Sequence, residues 1–318
     1  MRSVLIRSDN SLTQRAGSRL RRLYVAMIGD SVCTGIHVST AWSTVWRARR
    51  SRDRNWFLNV DLATPIQSVC KRLERLTPLI VSHHGGIGAM VDDESERVWF
   101  SRRILGTRNF SGQINQLKRS DRFPDLILIS IGHNNVDWAW RCPPNELKNP
   151  EQRLRRQCRH FRKIFARNLQ QLVGHACRQD QRVAMVVFGL VNFESYFKGR
   201  AQVEGLRARD SSLYPHLENT YEYLISFHPD FRENLIRLAK MVNDEMRSIV
   251  AEFNRVPSPT LQLRYSDSLA QADLSRAELL HDVDGWHASA AGHNVLAEAA
   301  FRHLAPSLKF LGINGPYR

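Results

Sequence analysis

Ser31, Asp284 and His287 have the side-chain types that nucleophilic cleavage of an ester requires. A serine hydroxyl attacks poorly until a base takes its proton, and His287 is the candidate base. Asp284 stands three residues earlier and can accept the other imidazole N–H, fixing the tautomer. Asp282 competes for that role, and the Asp-x-x-His spacing favours Asp284. Attack on an acyl carbon leaves charge on its oxygen, so the site also needs N–H donors facing that oxygen. The Ser31 and Gly88 backbone N–H groups and the Asn134 side-chain amide are the candidates, with Gly85 and Gly86 crowding the same loop as Gly88. On its own Ser31 reads more readily as a helix cap than as a nucleophile; taken with the other blocks it reads as the nucleophile. The Gly-x-Ser-x-Gly elbow, the Gly-x-x-x-x-Gly-Lys phosphate loop and the His-Glu-x-x-His zinc motif do not occur in the sequence. His37, His83, His84, His133 and His287 all fall near the same turns, but without Asp, Glu or His partners at helical ligand spacing. No metal or cofactor is expected, and His133 is read as a polar wall of the pocket.

These residues need a scaffold that brings distant turns together. Leu23–Ile28 is a short apolar run ending in Gly-Asp-Ser, which reads as a buried strand feeding a turn. Leu79–Ser82 runs into His83 and the glycine loop, Asp125–Ile131 runs into Gly-His-Asn-Asn, and Val183–Leu190 and Leu261–Tyr265 complete the strand candidates. Helical periods separate them. The spacing predicts a helix over 64–76, capped by Thr64 with Pro65 at its first position. A long helix over 151–177 carries Leu154, Cys158, Phe161, Phe165, Leu169, Leu172 and Ala176 on one stripe; others cover 230–253 and 289–304. Alternating strands and helices imply an α/β fold, a three-layer α/β/α sandwich on a parallel sheet. In such sheets ligands bind at the carboxyl ends of the strands, where every candidate residue falls. The chain divides into a basic extension (1–22), one domain (23–304) with an insertion near 191–229, and a tail (305–318). Tyr214, His216, Tyr221, Tyr223 and His228 of the insertion could wall the site. Trp42, Trp46, Trp138, Trp140 and Trp286 lie just after or within the motif turns, as an aromatic wall or as core.

Four blocks in order, Gly29-Asp30-Ser31, His83 to Gly88, Gly132 to Asn135 and Asp284 to His287, resemble those of the GDSL/SGNH hydrolases over roughly residues 22–304. The resemblance implies a flavodoxin-like sandwich, an acyl-enzyme mechanism, no metal, and small ester substrates ranging from lipids to acylated sugars. It assigns Ser31, His287 and Asp284 to catalysis and Ser31, Gly88 and Asn134 to the oxyanion hole. The chain departs from the pattern at His83, where the family has Asn, and at His133 and Asn135, where it has Gly and Asp. Acyl transfer or glycan deacetylation would use the same site. A basic binding protein on an inactive scaffold is the reading from another class.

Composition bounds the partners. With 42% hydrophobic residues in 318, the chain can bury a large core, and no apolar run is long enough to span a bilayer. The formal charge is +15, with 39 Arg and only seven Lys. The excess sits in 1–22 (+5), 47–54 (+4) and 148–167 (+7), away from the four blocks. That charge suits an anionic membrane surface. Nucleic acid is disfavoured, because no binding motif and no aromatic pattern is interleaved with the Arg. Five scattered Cys without a Cys-x-x-Cys pair fit a reducing compartment. The first residues lack an apolar secretory core, and their Arg/Ser-rich stretch, interrupted by Asp9, only loosely resembles a transit peptide. A cytoplasmic protein is expected.

Overall fold

The expected apolar runs form strands in the computed structural model, which describes residues 22–34, 54–60, 65–93, 108–138, 149–213, 231–281, 285 and 287–315. Strands β1 (Leu23–Gly29), β2 (Leu79–His83), β3 (Leu126–Ser130), β4 (Val183–Phe188) and β5 (Leu261–Ser266) make one sheet in the order β2-β1-β3-β4-β5. Every pairing is parallel. β1, β3 and β4 are buried along their whole length, whereas the edge strands β2 and β5 mix buried and half-buried positions. This is why the central strands are unbroken apolar runs: a parallel sheet is covered on both faces.

Helices α1 (Val69–Glu74), α2 (Phe110–Lys118), α3 (His133–Trp138), α4 (Pro150–Ala176), α5 (Phe193–Arg209), α6 (Phe231–Phe253), α7 (Ser268–Gln271), α8 (Ala290–Arg302) and α9 (Ala305–Phe310) surround it. The α4 stripe is buried at all seven expected positions, and α4 packs on α6, whose Leu235, Leu238, Val242 and Ile249 are buried as well. The chain is thus an α/β sandwich with helices on both sides of a parallel sheet. The first crossover runs from β1 outward to β2, and all later ones run the other way. The loops after β1 and β3 therefore diverge at a topological switch point, where a crevice opens.

The first helix is shorter than its periodicity suggests. It begins at Val69 because Ser68 Oγ accepts from Lys71 N at 3.2 Å. The preceding backbone is bonded sideways instead: Asn59 Nδ2 donates to Ile66 O, Gln67 N to Asn294 Oδ1, and Asn294 Nδ2 to Pro65 O. Thr64 lies outside the described residues. Beyond Leu304, α9 buries Leu308 and packs on β4.

Candidate active site

The turn carrying Ser31 is built by Asp30. Its buried carboxylate caps the short 3-10 turn Ser31–Cys33, Oδ1 accepting from Val32 N at 3.1 Å. Its Oδ2 accepts from Gly132 N and His133 N, both at 3.0 Å, which fastens the end of β1 to the end of β3. Gly132 has φ +123°, and a Cβ there would press on Phe161 at 3.0 Å, so the third block needs glycine at this position. Because Asp30 is the cap, the Ser31 hydroxyl is not spent on the turn. A neighbouring thiol does not compete with it: Cys33 is fully buried, and desolvation and then the Asp30 charge push its pKa well up.

His133 is not a wall of the pocket. It is buried, with Nδ1 2.9 Å from Asp30 Oδ2 and Nε2 accepting from Val191 N at 3.1 Å. An Nε2 that accepts cannot carry a proton, so the hydrogen bonds assign the proton to Nδ1 and make it a donor to Asp30. The ring thereby joins the tips of β1, β3 and β4. His133→Ala strands the Val191 N–H and removes a donor from a buried carboxylate. It is expected to lower unfolding stability by about 1–3 kcal/mol, read as a shifted urea midpoint at unchanged slope. A midpoint equal to wild type would show that the ring is dispensable.

The second block folds across the tip of β1. His84 N donates to Met27 O at 2.8 Å and Gly86 N to Gly29 O at 3.1 Å. His83, in the place of the family's Asn, donates from Nε2 to Cys33 O at 2.8 Å and so ties β2 to the nucleophile turn. Gly88 is buried and holds φ +71°, a left-handed conformation that favours glycine. The residues after it are clamped by four asparagines. Asn134 Nδ2 donates to Ala89 O, Asn109 Oδ1 accepts from Met90 N, Asn135 Oδ1 accepts from Val91 N, and Asn168 Nδ2 donates to Val91 O. Asn135 Nδ2 also donates to Asp92 at 2.8 Å, a bond that an Asp at 135 would replace with repulsion. Among the described residues, the N–H groups of Ser31 and Gly88 and the second Asn134 amide hydrogen meet no acceptor.

The last block is framed by a tight backbone clasp. Leu280 and Ala288 form an antiparallel bridge, His281 N donates to His287 O at 2.7 Å, and Gly285 N donates to His281 O at 2.8 Å. His287 sits half-buried on this clasp, while Asp282, Asp284 and Trp286 lie outside the described residues. So do His37, Trp42, Trp46, Trp140 and the insertion's Tyr214, His216, Tyr221, Tyr223 and His228; of Trp138 only the backbone is described.

Trp56 and His293, which carry no sequence signal, link α8 to the nucleophile turn. Trp56 is fully buried; its indole N–H donates to Val32 O at 3.1 Å, and its backbone N–H donates to His293 Nδ1 at 3.3 Å. His293, on α8, has its pKa lowered to about 3, first by burial and then by the charges of His287 and His281 nearby. Gln113 is the other silent contributor. Its Oε1 accepts from Gly29 N and its Nε2 donates to Gly29 O, each at 2.9 Å, holding the last peptide of β1. A polar residue inside the apolar stripe of α2 was the only hint of it.

Residues 25–300 match the family model of the GDSL-like lipase/acylhydrolases. The chain belongs to this family. It is accordingly an ester-cleaving hydrolase, and the matched span includes all four blocks. Solved structures similar to this GDSL-family chain include a lipase from a goat rumen metagenome (12% identity, covering 93% of this chain and 100% of that one, TM-score 0.48). An extracellular lipase from Streptomyces rimosus is similar at 13% identity over 90% of this chain and 98% of that one, TM-score 0.47. A family 3 carbohydrate esterase from Talaromyces cellulolyticus is similar at 14% identity over 91% and 99%, TM-score 0.41. No curated protein matches the chain.

Proposed function

We propose that the chain cleaves small carboxylic esters, of a lipid or an acylated sugar, through an acyl-enzyme on Ser31. The observation that supports this reading is that the N–H groups of Ser31 and Gly88 and one Asn134 amide hydrogen meet no acceptor among the described residues, on turns which Asp30, His83 and Asn134 fasten to one another. Ser31 Oγ attacks the acyl carbon while His287 takes its proton and Asp284 holds the imidazole. The Ser31 and Gly88 N–H groups and the Asn134 amide receive the oxyanion. As the tetrahedral adduct collapses, the C–O bond to the alcohol breaks and His287 returns the proton to it. Water then attacks the acyl-enzyme by the same route and releases the acid. Transfer to an alcohol, or deacetylation of a glycan, would differ only in the acceptor or the acyl donor. A fluorophosphonate probe should label wild type and not Ser31→Ala, and p-nitrophenyl esters of increasing length should give the acyl preference. Absent labelling, or labelling that survives Ser31→Ala, refutes the reading and returns the basic binding protein.

One surface favours an anionic interface as the place of action. Arg156, Arg159, Lys163 and Arg167 are exposed at spacings of three, four and four along α4, on one stripe, and none has a carboxylate partner among the described residues. Arg162 by contrast is held by Glu245 and Glu252 of α6. Each unpaired cation near an anionic leaflet contributes about 1 kcal/mol. Retention on phosphatidylserine vesicles at low salt should fall at least tenfold in Arg156→Glu/Arg159→Glu and vanish near 0.5 M salt, a range where such attraction is screened. Equal retention of both proteins would remove this surface from consideration.

A further inference from the structure

We propose that Arg200 is a positioning residue for the catalytic clasp, acting through the Gly285 carbonyl; the inference rests on the acyl-enzyme reading above. Arg200 lies on α5, the helix that opens the insertion, and its side chain is wholly buried. Burying a guanidinium is costly unless its charge and donors are used. Nε pairs with Glu204 at 3.1 Å, and Glu204 also meets Arg232 of α6 at 3.5 Å. Nη1 reaches Gly285 O at 3.5 Å, on the peptide between Asp284 and His287 in the chain. Gly285 is itself buried, so its carbonyl needs a donor from within the protein.

The same helix grips the segment that leads into the clasp. Ser195 Oγ accepts from Leu274 N at 3.1 Å, Gln202 Oε1 accepts from Ala277 N at 3.1 Å, and a Cβ on Gly199 would lie 2.5 Å from Leu274 O. Those contacts fix where residues 272–280 run, and they are neutral and local. Gly199 also abuts Leu280 at the edge of the clasp, and Arg200 carries the grip further, to the Gly285 carbonyl inside it. The described part of the insertion therefore has a duty of its own: α5 supplies a buried cation that reaches the Gly285 carbonyl, between Asp284 and His287 in the chain. Orientation of the imidazole, more than binding of the ester, is what its loss would disturb.

The test compares Arg200→Met, Arg200→Lys and Gln202→Ala, full-length, by turnover of p-nitrophenyl acetate and by amide hydrogen exchange. Arg200→Met is expected to lower kcat at least tenfold with KM within about threefold, and to speed exchange of the His281 and Gly285 amides at least tenfold while β3 amides stay protected. Arg200→Lys, keeping the charge and one donor, should fall between, and Gln202→Ala should keep kcat within about twofold. Wild-type kcat and exchange in folded Arg200→Met overturn the proposal, as does an equal kcat loss in Gln202→Ala. If Arg200→Met does not fold, Arg200→Lys decides, intermediate values supporting and wild-type values refuting. Exchange needs no ester chemistry. A wild type that neither turns over esters nor labels at Ser31 sinks the acyl-enzyme reading, while the exchange arm still judges whether Arg200 holds the clasp.

Discussion

Ser31→Ala and His287→Ala are each expected to reduce kcat/KM toward short p-nitrophenyl esters by about 10⁴- to 10⁶-fold, and the double variant by no more than the worse single one. The reason is that nucleophile and base act as one unit: without either, no acyl-enzyme forms, and what survives is the contribution of the oxyanion donors and of binding. Asn134→Ala, which removes one such donor, should cost about 10²- to 10³-fold in kcat. Its loss is mixed with a freed Ala89 carbonyl, since the same amide anchors that loop at 3.0 Å. The acid is decided by a pair of variants. Asp284→Asn should cost about 10⁴-fold, as expected when the imidazole loses the partner that fixes its tautomer, and Asp282→Asn should cost far less. The opposite order would move the acid to Asp282. Additive losses in Ser31→Ala/His287→Ala would mean that the two residues do not share a step.

The second large effect is a loss of stability in acid, centred on His293. Buried and beside His287 and His281, its imidazole has a pKa lowered to about 3, against about 6.5 when the chain unfolds and the ring meets water. Between those values the unfolded state binds a proton that the folded state refuses. Stability is therefore fully present above about pH 6.5 and declines as pH falls, by about 1.4 kcal/mol for each pH unit through the window. Protonating Nδ1 would also end its acceptance of the Trp56 N–H, and Trp56 is the residue that reaches Val32 in the nucleophile turn. Acid should thus loosen the site along with the fold. Urea unfolding measured from pH 7.5 to pH 4.5 is expected to show this slope. His293→Asn, which keeps an acceptor for Trp56 and does not titrate, should flatten it by roughly that amount per unit. Identical slopes in the two proteins would place the acid sensitivity elsewhere.

Much of the molecule follows from local pattern. Runs such as Leu126–Ser130 must be covered on both faces, so they read as parallel strands before any contact is known. The stripe from Leu154 to Ala176 reads as a buried helix face for the same reason. The three turns that follow β1, β2 and β3, and the serine, glycine and asparagine on them, needed only the rule that α/β sites sit at strand ends; the histidine block, set before the last long helix, was legible from its acid and base alone. Periodicity places the start of α1 too early, because it cannot see that Asn59 and Asn294 take the backbone of 65–67 away from it.

Sequence alone determined the chemistry on offer: a serine after a strand, a histidine with an acid at three residues, donors on neighbouring turns, and a charge excess in segments outside the four blocks. Tertiary structure decided what holds that chemistry in place. Trp56 and His293 are 237 residues apart, Asp30 and His133 are 103 apart, and Arg200 meets Gly285 across 85. Such pairings leave no periodic trace, because hydrogen bonds between distant turns depend on where the sheet delivers them. His133 shows the difference best. Its position in the motif suggested a pocket wall, and only two bonds, to a carboxylate on β1's turn and an amide after β4, show that it is a rivet between strands.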